Sequence, residues 1–221
     1  LGGRMTGSTG ERKATAYVAA YLDHLGLKPA GDNGTWFQKF DFPNGVEMGP
    51  KNQLELTIDR KSESLQVNQD WRPLSFSGNL QIDPTDIVFA GYGIVAPQQG
   101  SEEEYDSYVH LDVKNKWVFV FRFLPENVSP ERRRFFKTHA ELHKKIFHAR
   151  QQGAKGVIVV SGPNSQVREQ LVPLRNDFSP SGSSIAAISV TDEVGQKILQ
   201  AAGKDIQILQ WHIKDVYVVL Y

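Results

Sequence analysis

The sequence predicts an α+β fold, and three observations carry that expectation. A capped amphipathic helix stands near the start, short apolar strands follow from about residue 52, and two further helices are set among those strands. The first helix opens at Ser8-Thr9-Gly10-Glu11, a capping-box pattern in which hydroxyl and carboxylate each satisfy an orphan backbone N–H. Ala14, Tyr17, Val18, Tyr21, Leu22 and Leu25 then recur at helical spacing on one face. Gly26 supplies a left-handed cap and Pro29 blocks continuation. Asp32-Asn33-Gly34 predicts a turn into a strand over Trp36–Phe42, ended by Pro43-Asn44-Gly45.

Leu54, Leu56 and Ile58 alternate as in a half-buried strand, and Ile87–Ala90 is a short apolar run closed by Gly91-Tyr92-Gly93. Trp117–Phe123 carries the strongest strand pattern, with Trp117, Phe119, Phe121 and Phe123 on one face. Ser129-Pro130 reads as an N-cap followed by proline in the first turn, and the helix it starts extends to about Gln152, with room for one break, and is capped by Gly153. Val157–Val160 and Ile185–Val190 are compact strands around a Pro/Ser/Gly-rich loop at Asp177–Ser184. Thr191 caps a helix whose apolar face is Val194, Ile198, Leu199 and Ala202.

Composition narrows the function classes. In 221 residues, 25 Lys and Arg balance 25 Asp and Glu, so the basic excess that nucleic acid or anionic membrane demands is missing. The absence of cysteine excludes disulfide frameworks, thiolate zinc sites and cysteine nucleophiles. Apolar runs such as Val157–Val160 fall far short of the roughly 18 residues a bilayer span needs. The closing run Val216–Tyr221 is apolar throughout, mostly β-branched and aromatic. A bare hydrophobic strand is an aggregation hazard, so the sequence is expected to be part of a longer polypeptide.

Several motifs, in order, carry a resemblance. Gly3-Arg4-Met5-Thr6-Gly7, the capped helix, Gly26-Leu27-Lys28-Pro29-Ala30-Gly31 and Asn33-Gly34-Thr35-Trp36-Phe37-Gln38 resemble the start of bacterial zinc-dependent aminopeptidases of the leucyl-aminopeptidase and glutamate-carboxypeptidase-like clan. Phe89–Ile94, Tyr105-Asp106-Ser107-Tyr108, Leu111–Val118 and Ala149–Ile158 resemble the protease-associated (PA) domain inserted into many of those enzymes, and Ile185–Val190 stands where its closing strand belongs. The resemblance implies a PA domain of the swivelling β/β/α type, a strand-rich barrel or sandwich with flanking helices, accompanied by a terminal helix and two strands of a parent peptidase domain. It divides the chain into 1–49, the N-terminal piece of that peptidase; 50–210, the PA domain; and 211–221, a strand returning to the peptidase. On this reading Trp36–Phe42 and Val216–Tyr221 share one sheet beneath the first helix, and their unprotected edge recruits a second copy as a non-native homodimer or frays.

The family binds two zinc ions through a His-x-Asp, an Asp, adjacent glutamates and a late His, all downstream of the inserted domain. No position here matches that set, so the expectation is no catalytic, cofactor-binding or metal residue in this chain, with the zinc ions belonging to the parent's catalytic domain. His110-Leu111-Asp112 spells a His-x-Asp but sits in an expected turn. His139 and His143 have the i, i+4 spacing of a helical metal pair without the H-E-x-x-H motif, and His148 is expected on another face. Asp192-Glu193 is read as a helix-dipole partner, Glu102-Glu103-Glu104 with Asp106 as a solvated loop, and Arg132-Arg133-Arg134 beside Phe135-Phe136 as a charged helix face. There is no G-x-S-x-G elbow and no P-loop.

The function expected is therefore a non-catalytic PA domain of a zinc aminopeptidase, covering the active-site cleft and modulating substrate access. Its partners would be the peptide or protein substrate and the rest of the catalytic domain, with neither nucleic acid nor a membrane span. The resemblance implies a secreted, periplasmic or envelope-associated setting. The alternatives are a free-standing interaction or sorting module with a PA fold, and a degenerate paralogue without a catalytic half.

Overall fold

The computed structural model describes residues 3–42, 45–175, 182–212 and 218–219. The expected turn at Pro43-Asn44, most of the loop at Asp177–Ser184, and Val216–Tyr221 apart from Val218–Val219 lie outside the described residues. The chain divides into two compact units, Leu1–Pro43 and Asn44–Tyr221.

The first unit is one helix and a loop. Helix α1 spans Thr9–His24. Ser8 Oγ accepts from the Glu11 N–H at 3.2 Å, and the Glu11 carboxylate accepts from the Gly7 N–H at 2.6 Å, one residue before the cap. At the other end Gly26, at φ +73°, donates to Asp23 O. Trp36–Phe42 is not the expected strand. Its first half folds back on the preceding turn: Gly31 and Asp32 donate to Thr35 O and Phe37 O, and Lys39 N–H donates to the Asp32 carboxylate at 2.8 Å. Those backbone groups are spent locally, so no ladder forms.

The second unit is α+β. Its strands are β1 (Leu54–Ile58), β2 (Lys61–Leu65), β3 (Trp71–Pro73), β4 (Ile87–Phe89), β5 (Val95–Ala96), β6 (Tyr105–Asp106), β7 (Trp117–Phe121), β8 (Gly156–Val160), β9 (Ala186–Val190) and β10 (Val218–Val219). Its helices are α2 (Pro130–Lys137), α3 (Leu142–Gln151), α4 (Asp192–Ala201) and α5 (Ile206–His212). β1 and β2 form a hairpin closed by Asp59 and Arg60, both at positive φ as a two-residue hairpin loop requires. The main sheet has the order β10-β4-β7-β8-β9-β3. β4, β7, β8 and β9 run parallel, and β10 and β3 are antiparallel additions at the two edges.

Because both faces of this sheet are covered, β8 and β9 are buried at every residue and read as unbroken apolar runs rather than alternating ones. On one face Phe89, Phe119, Phe121, Ile158 and Ile188 pack with Phe135 and Phe136 of α2, with α4 and α5, and with Leu56 and Leu65 of the hairpin. On the other, Val88, Val118, Val120, Val157 and Val159 pack with Ile146 and Ala149 of α3, Leu74 and Tyr108. The helix expected from Ser129 to Gln152, with room for one break, is broken once, into α2 and α3. Thr138 Oγ1 donates to Phe135 O, His139 N–H to Phe136 O, and Lys144 Nζ to Thr138 O, which closes α2 before α3 begins.

Candidate functional site

Parallel strands leave a sheet on the same side, and at the carboxyl ends of β4, β7 and β8 lie the buried Lys145, Ser161 and Gln210. Open α/β sheets bind ligands at that edge. Here β4 turns away at Gly91-Tyr92-Gly93, with Gly91 and Gly93 both at positive φ. A Cβ on Gly93 would lie 2.8 Å from Val120, so only glycine lets the turn pack this closely.

That departure leaves carbonyls without partners. Phe121 N–H donates to Gly91 O, so the Phe121 carbonyl faces the same side, where β4 has already turned away. Arg122 N–H donates to Val160 O, and its carbonyl faces β8, whose next free donor, Gly162 N–H, is taken by the Asp192 carboxylate at 2.7 Å. Lys145 of α3 answers both. Its fully buried side chain donates to Phe121 O at 2.8 Å, Arg122 O at 3.1 Å and Phe123 O at 2.8 Å. Burial drives the lysine pKa well below its ordinary range. Three carbonyl acceptors match the three hydrogens of an ammonium, which opposes that drift.

Around this pin lies a polar network. Tyr92 Oη donates to Gln210 O at 3.3 Å, Gln210 Oε1 accepts from Asn164 N–H at 3.0 Å, and Gln210 Nε2 donates to Glu126 at 3.1 Å. Burial raises the pKa of Tyr92, Glu126 and Asp192. Asn164 Nδ2 is buried without an acceptor in hydrogen-bonding geometry, although the amide stands close enough to Glu126 to oppose that rise. Arg122, its pKa lowered by burial, reaches Ser161 Oγ and Glu169 O at 3.5 and 3.4 Å, and Arg72 pairs with Glu169 at 3.0 Å. These bonds fasten the segment after β8 across the strand ends. They tie backbone to side chain and hold no nucleophile beside a base.

The residues singled out in the sequence are dispersed. Asp112 Oδ1 accepts from Lys114 N–H and Oδ2 pairs with Lys116 at 3.1 Å, so its pKa is lowered first by the Lys116 hydrogen bond. Neighbouring His110 stands at φ +64°. His139 lies in the α2–α3 connection rather than on a helix, while His143 stacks on Phe76 with ring centres 3.6 Å apart. The break brings His139 within electrostatic reach of His148, which a continuous helix would have placed on another face. Among the described residues no three His, Asp or Glu side chains converge on a metal position.

Arg132 spans α2 and the acidic loop. It donates to Glu102 at 3.3 Å and to Glu103 O, and its guanidinium lies 4.6 Å over Phe136 and 5.0 Å over Phe135. Both rings are buried, so neither is open for stacking on a nucleobase. Arg134 pairs with Glu131. Asp192 does more than complement a helix dipole, because it closes the β8 ladder; Glu193 pairs loosely with Lys197 at 4.0 Å. Lys145, Tyr92 and Gln210 were not singled out in the sequence. The signal for Lys145 was a lysine set on the apolar stripe of Leu142, Ile146 and Ala149.

Residues 78–198 match the family model of the PA domain, more than half of the 221-residue chain. The chain belongs to the PA, or protease-associated, domain family. No curated protein matches it. The matched segment runs from the approach to β4 through most of α4, and so contains the parallel strands, the Lys145 pin and Tyr92, Glu126 and Asn164 of the polar network, whose Gln210 lies beyond it.

Proposed function

We propose that this chain is the non-catalytic, substrate-facing part of a zinc-dependent aminopeptidase, in which the PA domain borders the active-site cleft and limits access to it. Two supports are the PA membership of residues 78–198 and the resemblance of Gly3–Gly7 and Asn33–Gln38 to the opening of such peptidases. The observation that carries the reading is helix α1. Its stripe is apolar, yet none of its residues is buried: Tyr17 is 74% exposed, and Val18, Tyr21 and Leu25 are each more than half exposed. A unit of this size is too small to build its own core, so a stripe of this kind is the contact face for a host domain.

In the parent, zinc would supply a metal-bound hydroxide as nucleophile, and this chain would supply a wall rather than ligands. The setting would be secreted, periplasmic or envelope-associated. The test is a polypeptide encoded through the catalytic half, compared with one in which residues 50–210 are replaced by a short linker. The reading expects turnover of aminoacyl p-nitroanilides in both, with KM for longer peptides changed severalfold by the replacement. Equal KM for short and long substrates in both proteins would refute it.

A further inference from the structure

One edge of the main sheet is built to accept a strand. On β4, Ala90 N–H donates to Phe119 O at 3.0 Å and Asp86 O accepts from Trp117 N–H at 2.9 Å, so the even-numbered residues face β7. The N–H and C=O groups of Ile87 and Phe89 therefore point outward. β10 lies there, antiparallel, with Val218 opposite Phe89 and Val219 opposite Val88. Among the described residues Val218 and Val219 pair with this edge, and two paired residues are marginal by themselves.

The chemistry of a fitting strand follows from the flanking faces. Phe89 belongs to one apolar cluster and Val88 to the other, each almost wholly buried, so both clusters reach this rim. A strand added here meets apolar surface on both sides and must be apolar at consecutive positions, not alternate ones. The run Val216–Tyr221 has that composition.

We propose that the outer edge of β4 is a strand-addition site for extended, uniformly apolar peptide segments, which the chain's own Val218–Val219 occupy in cis. The short connection from His212 to Val218 gives the cis segment an effective concentration in the millimolar range, so a peptide in trans competes poorly until that segment is weakened. This site lies at the side of the sheet, not at the carboxyl ends of its strands, and does not depend on which enzyme carries the chain.

The test uses the full chain and its Val218→Pro variant, which lacks the N–H that pairs with Phe89 O. The probe is a fluorescein-labelled peptide with the sequence of residues 215–221 followed by two lysines, read by anisotropy. The variant is expected to bind at least tenfold more tightly than the unaltered chain. The same peptide methylated on the backbone nitrogen of its Val218 counterpart keeps every side chain and is expected to lose at least tenfold. Amide exchange at Phe89 should quicken in the variant and slow again with peptide. Equal binding of methylated and unmethylated peptide overturns the proposal, and that comparison on the unaltered chain stands even if the variant misfolds. Dimerisation that Val218→Pro abolishes, with no peptide bound by either protein, also overturns it, in favour of strand exchange between copies.

Discussion

Replacing Lys145 by methionine removes the pin at the end of β7 while keeping the length of its apolar stem. The magnitude follows from which carbonyls lose a donor. Phe121 O is buried where β4 has turned away, so leaving it unpaired costs about 2–3 kcal/mol. Arg122 O and Phe123 O are part-buried and can take water instead, at about 0.5–1 kcal/mol each. The gross loss is then about 3–5 kcal/mol. Relief from holding an ammonium fully out of water offsets part of it, leaving about 2–3 kcal/mol. At an m-value of about 2–3 kcal/mol/M, the urea midpoint followed by far-UV circular dichroism should fall by about 1 M. Exchange of the Phe121 and Arg122 amides should quicken more than that of Val118. A midpoint unchanged or raised would refute the reasoning, since it would mean that the desolvation of Lys145 outweighs its three hydrogen bonds.

Two further outcomes follow from named contacts. Burial, before any neighbouring charge, lowers the pKa of His139 and of His148. Their folded pKa values lie below the unfolded value of about 6.5, so the unfolded chain takes up protons first as pH falls. The stability they contribute is complete above about 6.5 and declines as pH falls below it; the urea midpoint at pH 5.5 should sit below that at 7.5, with a smaller gap in His148→Gln. An equal gap would assign the decline elsewhere. Gly195→Ala adds about 1 kcal/mol of helix propensity to α4, but its Cβ would lie 2.8 Å from Val160 and 3.3 Å from Phe119, where overpacking costs about 1–3 kcal/mol. The variant should melt several degrees lower, and a higher melting temperature would show that the helix can move off the sheet.

Local signals were legible and cooperative ones were not. Ser8, Ser129 and Thr191 cap helices as their spacing indicates, because a cap is settled within four residues. The strands at Ile87, Trp117, Gly156 and Ala186 were readable because a sheet covered on both faces leaves continuous apolar runs. Trp36–Phe42 carries four aromatic residues among polar ones, but a strand needs a partner, and Phe37 O bonds the Asp32 N–H of the preceding turn instead. β2 reads Lys61-Ser62-Glu63-Ser64-Leu65, too polar for periodicity to reveal; its pairing with β1 makes it a strand. α5 carried a weak signal, Asp205, whose carboxylate accepts from Gln207 and Ile208 N–H. The polar edge was the least legible part, since Lys145, Asp192 and Gln210 are joined by strand ends remote in sequence. Its function class came from ordered motifs matching the PA family, not from any residue with a reactive neighbour.

The central claim is that this chain contributes a wall to a peptidase and none of its chemistry. The most direct measurement is aminopeptidase activity of the chain alone, on a panel of amino-acid p-nitroanilides with added zinc. The account predicts no turnover above that of zinc in buffer. Zinc-dependent turnover that survives repurification and falls with Asp112→Ala or His143→Ala would contradict it.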